Sequence, residues 1–316
     1  MFFSSGPLSG KQRFLFLVGG SAVTLLLQFA GAMLGPAGTF VYPFIPFPAA
    51  YATMRTGPWI GGGIIALTAG ALMVTQPLAA IAYLLQFGIG SLLLPVLLRR
   101  GWPWDRALAG ALAATVAVIA LTLGGYAVSR QMPVAHVVGS YIHSEVDQAL
   151  AVYKQAKLPA DQLKALQAMG EQMADFVVKA YPGLVVVASA GILMLTVLFL
   201  GALSAGRYAM AGPPFAMWKL PEPLVWFLIA GGFGLFFVTG ELQRISLNLL
   251  TVLLPVYFMQ GVAIVTYFFR KKGFSPFFRT LGYLLIFVLN PLPLIVTGVG
   301  VFDMWVDFRK PRIKKT

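Results

Sequence analysis

Long apolar runs alternate with short polar or basic turns along most of this chain. Most of these runs reach the roughly 20 residues that a helix needs to cross a bilayer. They cover residues 14–34, 59–75, 78–98, 107–128, 184–203, 224–239, 245–269 and 277–305. The pattern predicts an all-α, polytopic integral membrane helical bundle of about eight to ten membrane segments.

Residues 36–54 are apolar but are predicted to form a broken helix. Pro43, Pro46 and Pro48 fall within this stretch, and each removes an amide donor and clashes with the preceding turn. Unpaired backbone groups at bilayer depth need cover from other helices or a hydrated cavity, and transporters build midplane binding sites in this way. Two interpretations stay open: the wall of a ligand cavity, or a kinked, tightly packed helix pair without a ligand.

The polar interval between the apolar runs has a different character. Residues 129–181 carry mixed charge, and their apolar side chains recur at helical spacing. We predict an extracytoplasmic insert of two amphipathic helices, broken at Leu158 and Pro159. The insert is interpreted either as a lid over the membrane bundle or as a passive cap.

The last apolar run is interrupted between Asn290 and Pro293. A single crossing would place the basic tail, residues 311–316, outside, whereas a hairpin of two short helices returns it inside. We predict the hairpin. The predicted organisation is therefore 1–128, with five membrane segments; 129–181, the insert; 182–310, the C-terminal membrane helices; and the tail 311–316.

The charge of the chain supports this topology. The formal net charge is +13, and the predicted turns place the whole excess of lysine and arginine on one side. This is the positive-inside bias of membrane proteins, and it predicts that both termini are cytoplasmic. The basic face is expected to meet the lipid bilayer rather than nucleic acid.

Polar side chains inside apolar runs point to binding, because burying them costs free energy unless they have partners. Arg244 could hold a carboxylate or phosphate that Asn248 orients, or it could only pair with Glu241 at a membrane interface. Gln260 could contact the same ligand or form an interhelical hydrogen bond. An aromatic wall would suit a ring-containing or amphiphilic ligand. The predicted ligand-binding residues are Tyr42, Phe44, Phe47, Gln86, Arg244, Asn248 and Gln260.

Two further sets have structural or docking interpretations. Gly62, Ala66 and Gly70 recur at every fourth position, a stripe that lets another helix approach closely. Near the C-terminus, Asp303, Asp307 and Arg309 could cap the last helix by pairing four residues apart or could dock a cytoplasmic partner. These last three form the predicted docking set.

No catalytic motif is found, and we predict no enzyme activity, cofactor or metal. His136, His143 and Asp147 share one face of the insert, but such residues usually form a solvated helix face. The sequence contains neither HExxH nor GxSxG, and it has no phosphate-binding GxxxxGK[ST] motif. Active transport would therefore need an ATPase on another chain.

Three stretches carry a family resemblance: Asn248, YFMQG at 257–261 and GVFDMWVDFRK at 300–310. With the proline-rich second segment and the glycine-rich third, they resemble the YybS-like family of bacterial membrane proteins, which is distantly similar to S components of energy-coupling-factor transporters. The resemblance implies a vitamin- or metabolite-binding subunit of the bacterial cytoplasmic membrane that works with an ATPase and a coupling transmembrane subunit. The alternative is a scaffold or assembly protein of the bacterial envelope that does not transport.

Overall fold

The computed structural model describes residues 9–155, 160–204 and 208–310. Regular structure in these ranges is helical, with eleven α-helices when Pro77–Arg99 is taken as one. They are α1 (Gly10–Met33), α2 (Phe47–Thr56), α3 (Pro58–Thr75), α4 (Pro77–Arg99), α5 (Trp104–Ser129), α6 (Val134–Gln155), α7 (Ala160–Ala202), α8 (Leu224–Phe237), α9 (Glu241–Lys271), α10 (Pro276–Val288) and α11 (Leu292–Val306).

The sequence predicted about eight to ten membrane segments, and the described residues contain six or seven candidate spans. Six helices, α1, α3, α4, α5, α7 and α9, are long and apolar enough to cross a membrane. The pair α10 and α11, bent by 101°, makes a seventh if it is counted as one span. The difference arises because α2 has only 10 residues and α8 only 14, which is shorter than a hydrocarbon core requires.

Proline and glycine set many of the helix ends. α3, α4 and α10 begin at Pro58, Pro77 and Pro276, where the missing amide hydrogen would have no helical partner. α2 ends at Gly57, whose φ of +109° is a conformation that side chains disfavour. The breaks that the proline pattern predicted in 36–54 and at 290–293 are both present.

Proline does not always end a helix here. α7 continues through Pro182, so the predicted boundary between the insert and the next membrane segment is not a helix end. Residues Leu84–Gly88 of α4 form a π-helical turn. Leu158 and Pro159, the predicted break in the insert, and the basic tail 311–316 lie outside the described residues.

The chain divides into two compact units. Unit 1 comprises Met1–Val134 and Ala188–Gly212, and unit 2 comprises Ala135–Val187 and Pro213–Thr316. The residues predicted as an insert thus belong largely to the same unit as the C-terminal helices.

Unit 1 is built around α2. This short helix packs against α1, α3 and α4, and Ala49, Ala50 and Ala52 on it are completely or almost completely buried. Ile45, just before it, is also fully buried. The proline-rich stretch is therefore central to its unit.

The residue through which α3 packs closely on α2 is next to the predicted stripe of small residues and does not belong to it. A Cβ atom at Gly61 would overlap Thr53 Oγ1 on α2, whereas one at Gly62 or Gly70 would meet no other atom within 4 Å. Ala66 is exposed. Gly61 thus permits the close packing of α3 on α2, and the stripe Gly62, Ala66 and Gly70 lies on another face of α3.

Unit 2 is built around α9, which packs against α8 and α11. Gly261 and Gly300 bring the backbones of α9 and α11 together, since a Cβ on either would overlap a carbonyl oxygen of the other helix. In the same unit, Gly139 faces Val178 and Gly170 faces Val146, so α6 and the first part of α7 run antiparallel.

Candidate functional site

An aromatic cluster forms at the broken segment of unit 1. Residues Tyr42–Phe44 form a 3₁₀ turn that leads into α2. The Phe44 ring stacks on Phe199 of α7 with centroids 5.1 Å apart, and Phe47 meets the same ring edge-on at 6.0 Å. Phe47 also stacks on Tyr51 at 5.6 Å. Phe44 remains 44% exposed, so one face of this cluster is not covered by the rest of the chain.

Tyr42 and Gln86 lie apart from that exposed face. The Tyr42 ring is half-buried, packs against Gly31 of α1 and lies 6.4 Å from the Phe87 ring. Gln86 is exposed, while its neighbour Phe87 is buried. Gln86 and Phe87 lie in the π-helical turn of α4, where the amide of Gln86 and the ring of Phe87 face different sides.

Asn248 uses its side chain to join α9 to α7. Its Oδ1 accepts from the backbone N–H of Gly183 at 2.8 Å, and its Nδ2 donates to the carbonyls of Lys179 and Arg244 at 2.9 and 2.8 Å. The Lys179 carbonyl and the Gly183 amide are four residues apart, so a regular helix would join them directly. The carboxamide thus contacts both backbone groups of this turn of α7, beside Pro182.

Arg244, the predicted anion ligand, already has two interactions. It forms an ion pair with the exposed Glu241 at 3.7 Å and lies 5.9 Å above the Tyr181 ring. This geometry matches the interfacial ion pair that the sequence left open as an alternative. Tyr181 precedes Pro182, so Arg244 and Asn248 both contact α7 next to this proline.

Gln260 belongs to a different, fully buried polar cluster. Its Oε1 accepts from the Leu220 amide at 2.8 Å, and its Nε2 donates to the Gly300 carbonyl at 3.0 Å and to Asp303 Oδ2 at 3.2 Å. All three groups belong to this chain. Gln260 therefore makes the interhelical hydrogen bonds that the sequence left open as an alternative.

Asp303 and Arg309 complete this cluster with a buried ion pair. The Arg309 Nη2 lies 2.5 Å from Asp303 Oδ2, and Nη1 donates to the carbonyls of Ala216 and Trp218 at 3.2 and 2.7 Å. The other carboxylate oxygen of Asp303 accepts from the Phe308 amide at 3.0 Å. Neither charge is presented at the surface of unit 2, although both residues were in the predicted docking set.

Asp307, the third residue of that set, keeps part of its carboxylate at the surface. Lys310 lies 3.2 Å from it and Lys219 3.9 Å. Burial raises the pKa of this carboxyl, but the hydrogen bond from Lys310 and the charges of both lysines outweigh that effect. The pKa of Asp307 is consequently lowered from its ordinary value.

The predicted ligand-binding residues thus fall into separate groups. Phe44 and Phe47 share the aromatic cluster of unit 1, Arg244 and Asn248 both contact α7 next to Pro182, and Gln260 lies in the buried cluster. Asn248 and Gln260 are twelve residues apart on α9, or about 18 Å at 1.5 Å per residue. Each donates both amide hydrogens to this chain, so neither depends on a ligand for its hydrogen bonds.

Sequence reasoning missed two partners of these residues. Phe199 lies in a uniformly apolar run that carries no signal for a contact with Phe44. Pro182 and Gly183 did carry a signal, because a proline inside a helix frees a carbonyl and a following glycine allows close approach. Among the described residues, no group of three His, Cys, Asp or Glu is placed to hold a metal ion.

Comparison with known proteins reaches the family level. No curated protein and no solved structure matches this chain significantly. A family model described as "Predicted membrane protein (DUF2232)" matches residues 22–304, which include the aromatic cluster, Pro182 of α7 and Asp303. The chain therefore belongs to the DUF2232 family of predicted membrane proteins, as a multi-pass member whose helices imply a lipid bilayer as its environment.

Proposed function

We propose that this protein is a membrane-embedded binding protein for a small amphiphilic or ring-containing molecule, and that Phe44, Phe47 and Phe199 form its ligand-contacting surface. The supporting observation is the position of Phe44: it is stacked on Phe199 yet 44% exposed, just before α2, whose Ala49, Ala50 and Ala52 are almost completely buried. Aromatic faces of this kind are common in sites for apolar ligands. Tyr42 supports the segment from the side of α1 and α4.

The narrower assignment is to a YybS-like protein of S-component type in the bacterial cytoplasmic membrane. In this proposal both termini are cytoplasmic, residues 129–181 cover the extracytoplasmic side, and an ATPase with a coupling transmembrane subunit supplies energy. The resemblance of YFMQG and GVFDMWVDFRK to that family motivates the assignment. In this assignment the role of Arg244, Asn248 and Gln260 is structural, because their polar groups interact with other groups of the chain.

Ligand binding can be tested by thermal stabilisation. A molecule that binds only the folded state raises the apparent melting temperature by mass action. We expect at least one compound of a vitamin and metabolite panel to stabilise the wild type, with at least half of the shift lost in Phe44→Ala. Phe233→Ala is the matched control, since Phe233 is also exposed and stacked on a helical neighbour, Phe237, at 5.8 Å.

Two results would refute this proposal. Lack of stabilisation by any compound, in a sample with a cooperative transition, removes the binding function. An equal loss of stabilisation in Phe44→Ala and Phe233→Ala removes the assignment of the site.

A scaffold that recruits envelope proteins is the second candidate, and a specific surface favours it. Met169, Met173 and Phe176 recur along one face of α7 and are 66%, 67% and 50% exposed. This face lies opposite the side that packs on α6, and it is more apolar than a solvated helix requires. Crosslinking in membranes separates the candidates: envelope partners captured through Met173 favour the scaffold, and an ATPase with its coupling subunit favours transport.

A further inference from the structure

Arg55, near the end of α2, carries a guanidinium group that the protein does not satisfy. The side chain is half-buried, and its Nε and Nη1 are shielded from solvent with no hydrogen-bond partner in the described part of the chain. Buried guanidinium N–H groups without acceptors are costly, because the cation loses its hydration and gains nothing in return. An acceptor from outside the protein is therefore favoured at this position.

The end of α2 does not need Arg55 as a cap. The carbonyls of Thr53 and Met54, near its end, both accept from Nη1 of Arg99, at 3.2 and 2.6 Å, and the Thr53 carbonyl also accepts from the Gly57 amide. Arg99, the final residue of α4, therefore already neutralises the negative end of the α2 dipole. The charge of Arg55 is left for another partner.

Asp105 is the carboxylate of this chain that could act as a counter-charge for Arg55. It lies in the first turn of α5, and its Oδ1 is also buried without a hydrogen-bond partner. Among the described residues, however, Arg55 and Asp105 form no ion pair. The structure thus leaves the cation without an internal counter-charge.

The surroundings of Arg55 have the features of a membrane interface. Trp59, four residues further on, is 90% exposed, and Trp102, three residues after Arg99, is 45% exposed. Exposed tryptophans concentrate at the level of lipid headgroups. The contact between Arg99 and Met54 places the ends of α2 and α4 together, so both tryptophans flank the same end of unit 1.

We propose that Arg55 binds the phosphate of an anionic phospholipid headgroup. A phosphate offers several acceptor oxygens, which suit the several N–H donors of a planar guanidinium. This lipid site is independent of the ligand surface at Phe44.

The test measures the thermal stability of the full-length protein in neutral detergent micelles. Phosphatidylglycerol, phosphatidylcholine and inorganic phosphate are titrated separately. We expect phosphatidylglycerol to raise the melting temperature of the wild type by about 3 °C or more, with little effect of the other two. In Arg55→Gln at least half of this rise is lost, and Arg100→Gln, which removes the same charge from an exposed neighbour, retains it.

Arg55→Lys provides a second variant, because it keeps the charge but loses the two-pronged donor geometry. We expect it to bind phosphatidylglycerol more weakly than the wild type in native mass spectrometry, while Arg100→Lys is unchanged. These two variants keep the test informative if the glutamine substitution prevents folding.

Several results would overturn the proposal. Equal stabilisation of the wild type by both phospholipids, or an undiminished rise in Arg55→Gln, excludes a specific lipid site. A rise with inorganic phosphate alone assigns the site to a free anion. If Arg55→Gln and Asp105→Asn each lower the melting temperature in phosphatidylcholine by the same amount and the double variant lowers it no further, the two residues pair with each other instead.

Discussion

The carboxamide of Asn248 bridges the Gly183 amide and the Lys179 carbonyl of α7. The Gly183 amide donates to Asn248 Oδ1 at 2.8 Å, and Nδ2 of the same side chain donates to the carbonyl that this amide would otherwise meet. One side chain thereby connects α9 to α7 next to Pro182. Such polar bridging between helices is stabilising where water is scarce.

The absence of a side chain at Gly183 permits this contact. A Cβ there would lie 2.9 Å from both the Asn248 carbonyl oxygen and Thr251 Cβ. We expect Gly183→Ala to lower the free energy of unfolding by about 1–3 kcal/mol through overpacking. Thermal unfolding followed by tryptophan fluorescence measures the change.

Gly191 on the same helix is the control, because a Cβ there meets no atom within 4 Å. Gly191→Ala is expected to be neutral or slightly stabilising through helix propensity. Equal destabilisation by both substitutions would show that close approach at Gly183 is not the cause.

The buried pair of Asp303 and Arg309 is expected to be sensitive to loss of either charge. Asp303→Asn leaves the Arg309 guanidinium buried without its counter-charge, at a cost of about 3–5 kcal/mol. Lys310→Gln removes a largely exposed ion pair with Asp307 and should cost no more than about 1 kcal/mol.

Denaturant unfolding of both variants compares the two costs. The double variant Asp303→Asn with Arg309→Gln should cost less than the sum of its single substitutions, because it leaves no unpaired charge. Strict additivity would contradict the pairing.

Two adjacent glycines of α3 test which face of that helix packs within the chain. Gly61→Ala forces a methyl group against Thr53 Oγ1 and to 2.9 Å from the Ala49 carbonyl oxygen, so we expect a loss of about 1–3 kcal/mol. Gly62→Ala meets open space and should be neutral or gain up to about 1 kcal/mol from helix propensity. Thermal unfolding distinguishes them, and a greater loss in Gly62→Ala would restore the predicted packing stripe.

Asp307 makes the stability depend on acid pH. Its pKa in the folded protein is lowered from the ordinary value, which is about 3.9 in an unfolded chain. The ionised carboxylate therefore stabilises the fold above about pH 3.9, and this contribution disappears as the pH falls through the folded pKa.

Melting temperatures from pH 7 to pH 3 test this, with Asp307→Asn as the comparison. Asparagine suits the left-handed backbone of this residue, with φ of +43°, so the substitution isolates the charge. The advantage of the wild type should stay constant down to about pH 5 and shrink below about pH 4. An advantage that increases on acidification would contradict the lowered pKa.

The sequence by itself determined where most helices lie and where they break. Apolar runs long enough for a bilayer, prolines at positions 43, 46 and 48, and the interruption at 290–293 act through local geometry, so they could be read without the fold. It also narrowed the roles of Gln260 and Arg244 to two alternatives each. It predicted eight to ten membrane segments, whereas six or seven helical units in the described residues are candidate spans. The difference arises because the apolar runs at α2 and α8 form helices that are shorter than a bilayer requires.

Only the tertiary structure decided which groups meet. Asn248 with Gly183, Gln260 with Asp303, and Phe44 with Phe199 are 65, 43 and 155 positions apart, and nothing local selects those partners. The same holds for Gly61, which differs from Gly62 only in the direction it faces. A hydrogen bond or a helix contact depends on positions within a few tenths of an ångström, and the packing of several helices together sets those positions.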